Sequence, residues 1–224
     1  MSQKVAIFHT GSATLASMTE ITSRVMPETQ VMHIIEESMI NDVRGSGGVT
    51  PQISARIMAY VTAAEKAGCD VFMTACSSVG AVVEACQFAT PMRLIRIDQA
   101  MAEEAVGLGK NVAVLATVAT TLAPTLELIR RTAIEQGKDI EIKETLMPEA
   151  FDHLLAGEMD QHDAMVLAGL KAALGVSDVV VLAQASMARV VTLLDEAPTV
   201  PVLTSPESGI ARLKKVTYEV CSHR

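Results

Sequence analysis

Tryptophan is missing from this sequence, and only 3% of its 224 residues are aromatic. A core without large rings has to be built from Val, Leu, Ile, Ala and Met. That mix suits α/β packing, with branched residues in strands and Ala, Leu and Met in helices. An excess of positive charge is missing too: the formal net charge is −8. This argues against nucleic-acid binding, which depends on a basic face. No apolar run reaches the ~20 residues that span a bilayer. The nearest, "AMVLAGLKAALGVSDVVVLAQA", is interrupted by Lys171 and Asp178. The four cysteines, Cys69, Cys76, Cys86 and Cys221, form no C-x-x-C pair and no zinc-type spacing. The opening "KVAIFHTG" reads as a strand and loop rather than a secretory leader. The expectation is a soluble cytoplasmic protein with reduced thiols, no metal, and neither nucleic acid nor membrane as partner.

Half of the residues are hydrophobic, enough for a sizeable core. Short apolar runs predict strands over 4–8, 31–35, 70–74, 93–97, 111–116, 140–145, 178–183 and 200–204. They are continuous rather than alternating, as in strands buried on both faces. Helical patterns fall between them, over 15–25, 52–67, 78–88, 99–108, 121–136, 161–174 and 207–218. Alternating β and α elements predict parallel sheets with crossover helices. The glycine-rich "MINDVRGSGGVTPQ" reads as a loop.

An internal repeat is the most informative feature. At a shift of 108, "DVFMTACSSVGAVVE" (70–84) overlies "DVVVLAQASMARVVT" (178–192), with six of fifteen positions identical. At a shift of 107, "VAIFHTGSATL" overlies "VAVLATVATTL", where Val5, Ala6, Thr10, Thr14 and Leu15 recur as Val112, Ala113, Thr117, Thr121 and Leu122. Two similar α/β halves with a cleft between them are expected. Ligands of open parallel sheets bind at the carboxyl ends of strands. The turns near 10–14, 75–78, 117–121 and 183–187 are therefore the candidate site.

Cys76 sits where a strand gives way to a helix, between Ala75 and the pair Ser77 and Ser78. Free N–H groups at a helix start favour a thiolate, and the serines offer donors for an anion beside the sulfur. The competing reading is a small buried filler, which suits Cys69, Cys86 and Cys221 better. Thr10, Ser12, Thr14, Thr117, Thr120 and Thr121 form two hydroxyl-rich turns. Helix capping explains any one of them; two matched clusters point to an anion site. His9 ends the first strand and could reach the cleft. Glu36 and Glu37 read as solvated loop charges.

The motifs "TACSSVG", "VAVLATVATT" and "VVVLAQASMA" resemble the aspartate/glutamate racemase superfamily, which includes hydantoin and allantoin racemases, maleate isomerase and arylmalonate decarboxylase. The resemblance covers nearly the whole chain. It implies two Rossmann-like halves, with residues 1–98 plus 205–224 in one and 99–204 in the other. It implies a cofactor-independent enzyme, by family a racemase-like isomerase, acting on a small carboxylate or amino-acid derivative, with homodimers frequent among members. Racemases of this superfamily use one cysteine from each half. Cys76 matches the first. Ser77 and Ser78 match residues that hold the substrate carboxylate, and Thr117 and Thr120 match the threonines of the second turn; all four are expected to bind the substrate's anionic group. Gln184 stands where the second cysteine belongs, the same pairing that the repeat provides. Thr10, Ser12 and Ser186 complete the expected substrate contacts. A glutamine amide hydrogen-bonds but does not exchange protons usefully near neutral pH. The alternatives are therefore a one-sided decarboxylase or lyase of the arylmalonate decarboxylase type, and a non-catalytic carboxylate-binding protein.

Overall fold

The computed structural model describes residues 3–222, so residues 1–2 and 223–224 of the expected first half lie outside it. The chain divides into two compact units, Met1–Ile97 with Pro206–Arg224, and Asp98–Ser205.

Unit 1 holds a four-stranded parallel sheet of β1 (Lys4–His9), β2 (Gln30–Ile35), β3 (Val71–Thr74) and β4 (Arg93–Arg96), in the order β2-β1-β3-β4. Its helices are α1 (Leu15–Val25), α2 (Ser38–Gly45), α3 (Pro51–Lys66) and α4 (Gly80–Ala85). Every residue of β3 is buried, which explains its unbroken apolar run. Side chains alternate between the sheet's faces. Ala6, Phe8 and Phe72 pack with Met39, Val43, Ile57 and Val61 from α2 and α3. Val5, Ile7, Val71 and Met73 pack on the other face with Met18 and Ile21 of α1.

Unit 2 repeats the plan with α5 (Gln99–Leu108), β5 (Asn111–Ala116), α6 (Ala119–Glu135), β6 (Glu141–Leu146), α7 (Pro148–Leu155), α8 (Met159–Leu174), β7 (Val179–Leu182) and β8 (Val202–Thr204). Its parallel sheet has the order β6-β5-β7-β8. Val112 and Val114 pack with Leu126 and Ile129 of α6 on one face. Ala113 and Leu115 pack with Val166 and Leu170 of α8 on the other. The last helix, α9 (Ser205–Ser222), contributes Ile210, Leu213 and Val216 to the core of unit 1.

The repeat is carried into the backbone hydrogen bonds. Ala75 N–H donates to the Phe8 carbonyl at 2.8 Å, and its counterpart Ala183 N–H donates to the Leu115 carbonyl at 2.9 Å. Asp70 accepts from Lys4 N–H at 2.9 Å, and Asp178 accepts from Asn111 N–H at 2.7 Å. One aspartate in each unit thus fastens the start of its first strand.

Three local expectations change. The expected loop over 39–52 contains all but the first residue of α2 and the first residues of α3. Met39 and Val43, one turn apart, are fully buried, and this short apolar stripe was masked by the glycines behind it. Helix α7 was not expected; Pro148 occupies its first turn and Ala150 and Phe151 bury its inner face. The single helix expected over 78–88 resolves into a 3-10 turn Ser77–Val79, the short α4, and a second 3-10 turn Cys86–Ala89.

Candidate functional site

In unit 1 the candidate residues lie at the carboxyl ends of adjacent strands. Thr74 ends β3 and is fully buried. Its hydroxyl accepts from the Cys76 N–H at 3.2 Å and donates to the Cys76 carbonyl at 3.2 Å. This small ring fixes Cys76 in extended backbone, φ −127° and ψ 117°, just ahead of the 3-10 turn. Cys76 is half-buried. Among the described residues its thiol has no hydrogen-bond partner, so the sulfur is held in place without being engaged. The other cysteines differ. Cys69 and Cys86 are buried, and burial pushes both thiols up. The Cys221 thiol lies 3.8 Å from the Asp70 carboxylate. Ser77 and Ser78 are buried at the start of the 3-10 turn. Thr10 is buried beyond β1, whereas Ser12 is exposed.

Sequence reasoning missed Arg96. It is the last residue of β4, in register with Thr74, and only 3% exposed. Its guanidinium lies against the backbone of Gly80, where an added Cβ would fall 2.6 Å from it. Glu84 pairs with it at 3.4 Å. A glycine at the first position of α4 therefore admits a buried cation behind the turn that follows Cys76. The available signal was an arginine inside the apolar run "RLIRI", since a buried charge requires a partner.

His9 ends β1 and is 1% exposed. Its Nδ1 lies 3.3 Å from the Thr14 hydroxyl, and its Nε2 lies 3.0 Å from Nδ1 of His33. His33 in turn reaches Thr19 at 3.4 Å. Burial and then the neighbouring imidazole bring the His9 pKa down to about 4. Glu36 is not the solvated loop charge expected. Burial pushes its pKa up, but hydrogen bonds from Arg56 at 2.5 Å, from Ser38 and from Tyr60 outweigh that and hold it at about 2.

Unit 2 presents the same strand ends with different chemistry. Thr117, after β5, is 1% exposed. Gln184, after β7, is half-buried. The two are clasped: the Thr117 N–H donates to Gln184 Oε1 at 2.6 Å, and Gln184 Nε2 donates to the Thr117 hydroxyl at 2.6 Å. Thr120 lies in the first turn of α6 with its hydroxyl oxygen buried and without a hydrogen-bond partner among the described residues, and Pro124 has no N–H to offer its carbonyl. Ser186 is half-buried within a 3-10 segment, Ala185–Leu193. Among the described residues neither hydroxyl-rich turn caps its helix by side chain: Thr14, just before α1, and Val118, just before α6, make no such bond. No group of three or more His, Cys, Asp or Glu among the described residues is arranged to hold a metal ion. No helix among them is long and apolar enough to cross a membrane.

Comparison with known proteins bears on the family and the fold. The profile of the Asp/Glu/Hydantoin racemase family matches residues 6–213. No curated protein matches by sequence. Similar solved structures include a glutamate racemase from Bacillus anthracis, with 14% identity over 97% of this chain and 82% of that one and a TM-score of 0.73. An aspartate racemase from Picrophilus torridus matches at 15% identity over 96% and 94%, with a TM-score of 0.71. An allantoin racemase from Klebsiella pneumoniae matches at 14% over 99% and 88%, with a TM-score of 0.64. At these identities the structures establish the two-unit α/β fold. The family match extends over most of the chain and sets its class as a racemase-like enzyme, an isomerase by family. The chain belongs to the Asp/Glu/Hydantoin racemase family.

Proposed function

We propose that the protein catalyses one-sided proton transfer at the carbon next to a carboxylate or related carbonyl of a small substrate, with Cys76 as the acid/base. The observation that carries this reading is the contrast between the two strand ends. Cys76 has its backbone fixed and its thiol unengaged, while Gln184, its counterpart in the repeat, is committed to Thr117. In the exchange reaction the Cys76 thiolate takes the α-proton and leaves an enediolate, and the resulting thiol returns a proton to the same face. Thr10, Ser12, Ser77 and Ser78 are assigned to the substrate's anionic group, because hydroxyl and backbone donors stabilise charge that develops on its oxygens. Thr117, Thr120, Gln184 and Ser186 are assigned as substrate contacts on the second unit. These steps need a thiol and hydrogen bonds and call on no cofactor.

Gln184 also favours a second reading, a decarboxylase acting on a substrate with two carboxylates on one carbon. There the C–C bond breaks, carbon dioxide leaves, the electron pair forms the enediolate, and the Cys76 thiol protonates the carbon. Water then restores the thiol. One experiment tests both readings: 2-substituted carboxylates, malonates and hydantoins are incubated with the enzyme in deuterated water. Single-configuration labelling without loss of carbon dioxide supports exchange, and labelling with its loss supports the decarboxylase. Scrambled configuration in the unaltered enzyme overturns the one-sided mechanism. No reaction across the panel favours a carboxylate-binding protein.

A further inference from the structure

The clasp between Gln184 and Thr117 has a geometry that a ligand could also use. A carboxamide is planar, with its oxygen and nitrogen side by side, and has the outline of a carboxylate. Gln184 presents that edge to two polar groups of one residue, the Thr117 N–H and hydroxyl, both at 2.6 Å. The hydroxyl accepts from the amide nitrogen here, and it could rotate to donate to a carboxylate instead. Thr117 is almost fully buried, so without Gln184 its N–H would need another acceptor. Unit 1 offers the control. Thr10, the repeat counterpart of Thr117, has no side-chain hydrogen bond among the described residues. The counterpart of Gln184 is the shorter Cys76, whose own N–H is turned to Thr74.

We propose that Gln184 is a specificity-determining residue: its carboxamide fills the Thr117 donor pair as an internal stand-in for a carboxylate and closes that turn to anionic groups of a ligand. The substrate class narrows accordingly. Its carboxylate is received at the Cys76–Ser78 turn, and the Thr117 turn accepts no carboxylate while Gln184 holds it. The consequence for substrates rests on the proposed function; the clasp itself does not.

The test uses the full-length protein, labelled with nitrogen-15, and formate as the probe. In the unaltered protein the Thr117 amide exchanges slowly and does not move through a formate titration at constant ionic strength. In Gln184→Ala it exchanges at least about tenfold faster, because its protecting acceptor is gone, and formate shifts it saturably. Gln184→Glu keeps an acceptor beside the turn, so the Thr117 amide stays protected and insensitive to formate. A Thr117 amide in Gln184→Ala that stays protected and ignores formate overturns the proposal, as does a saturable formate shift in the unaltered protein. If Gln184→Ala does not fold, the unaltered protein and Gln184→Glu decide by the same two signals. The readout is independent of turnover, so loss of the Cys76 mechanism would leave the formate result standing.

Discussion

The two units share a scaffold and differ where chemistry is expected. Each has four parallel strands in matching order, and each bonds the residue after its third strand to the first strand. One residue further on they part. Unit 1 places a thiol there with no side-chain partner among the described residues, and unit 2 places an amide that reaches back to the neighbouring turn. A repeat in the sequence thus guarantees equivalent backbone positions but not equivalent roles. What a strand-end residue does depends on how far its side chain reaches and which donors its neighbour leaves open.

The largest effect is expected at the thiol. Cys76→Ala should lower turnover by about 10²–10⁴-fold, the usual contribution of a positioned acid/base, measured as deuterium incorporation into the substrate found by screening. Cys69→Ala, at a buried site away from the strand end, should lower Tm and spare turnover. Equal loss in both variants would mean that the position of Cys76 carries no special role. The next test restores symmetry. Gln184→Cys should release Thr117 and supply a second thiol, so that labelled product appears in both configurations. A product still of one configuration would show that the two units differ by more than this residue.

A smaller effect is expected from His9. Its folded pKa of about 4 lies below the ~6.5 of an unfolded histidine. The unfolded chain therefore binds more protons between those values, and stability falls as pH drops from about 6.5 to 4. The contribution is up to about 3 kcal/mol, read as a shift in the urea midpoint. His9→Gln should flatten that slope, and an unchanged slope would place the acid sensitivity elsewhere. The smallest difference compares the two aspartates. Asp70 is buried and Asp178 is exposed, so Asp70→Ala should cost about 1.5–3 kcal/mol, the range for a hydrogen bond to a charged group. Asp178→Ala should cost less, because water replaces the lost acceptor. The reverse order in thermal unfolding would break the expectation that burial separates the two pegs.

Much of the fold was legible because its signals are local. Strands such as "VFMT" and "VVVL" are buried along their length, and their apolar residues read as continuous runs. The pairing of Cys76 with Gln184 was legible from the repeat alone. Helices α2 and α7 were not, since eight residues give too few turns for a periodic pattern to show through neighbouring glycine and proline. Glu36 was misread for a different reason: its partners Arg56 and Tyr60 are 20 and 24 residues away, beyond any local pattern. Arg96 and Gly80 form a contact that neither residue announces by itself.

The sequence by itself determined the α/β class, the internal repeat, the family motifs and the candidacy of Cys76, because periodicity and motif spacing are properties of the chain. Tertiary structure alone decided that Gln184 is spent on Thr117, that His9 is buried against His33, and that Arg96 stands behind the Cys76 turn. Those outcomes depend on which groups the parallel sheet brings within hydrogen-bond distance, and a bond of about 3 Å between residues far apart in the chain leaves no trace in local residue patterns.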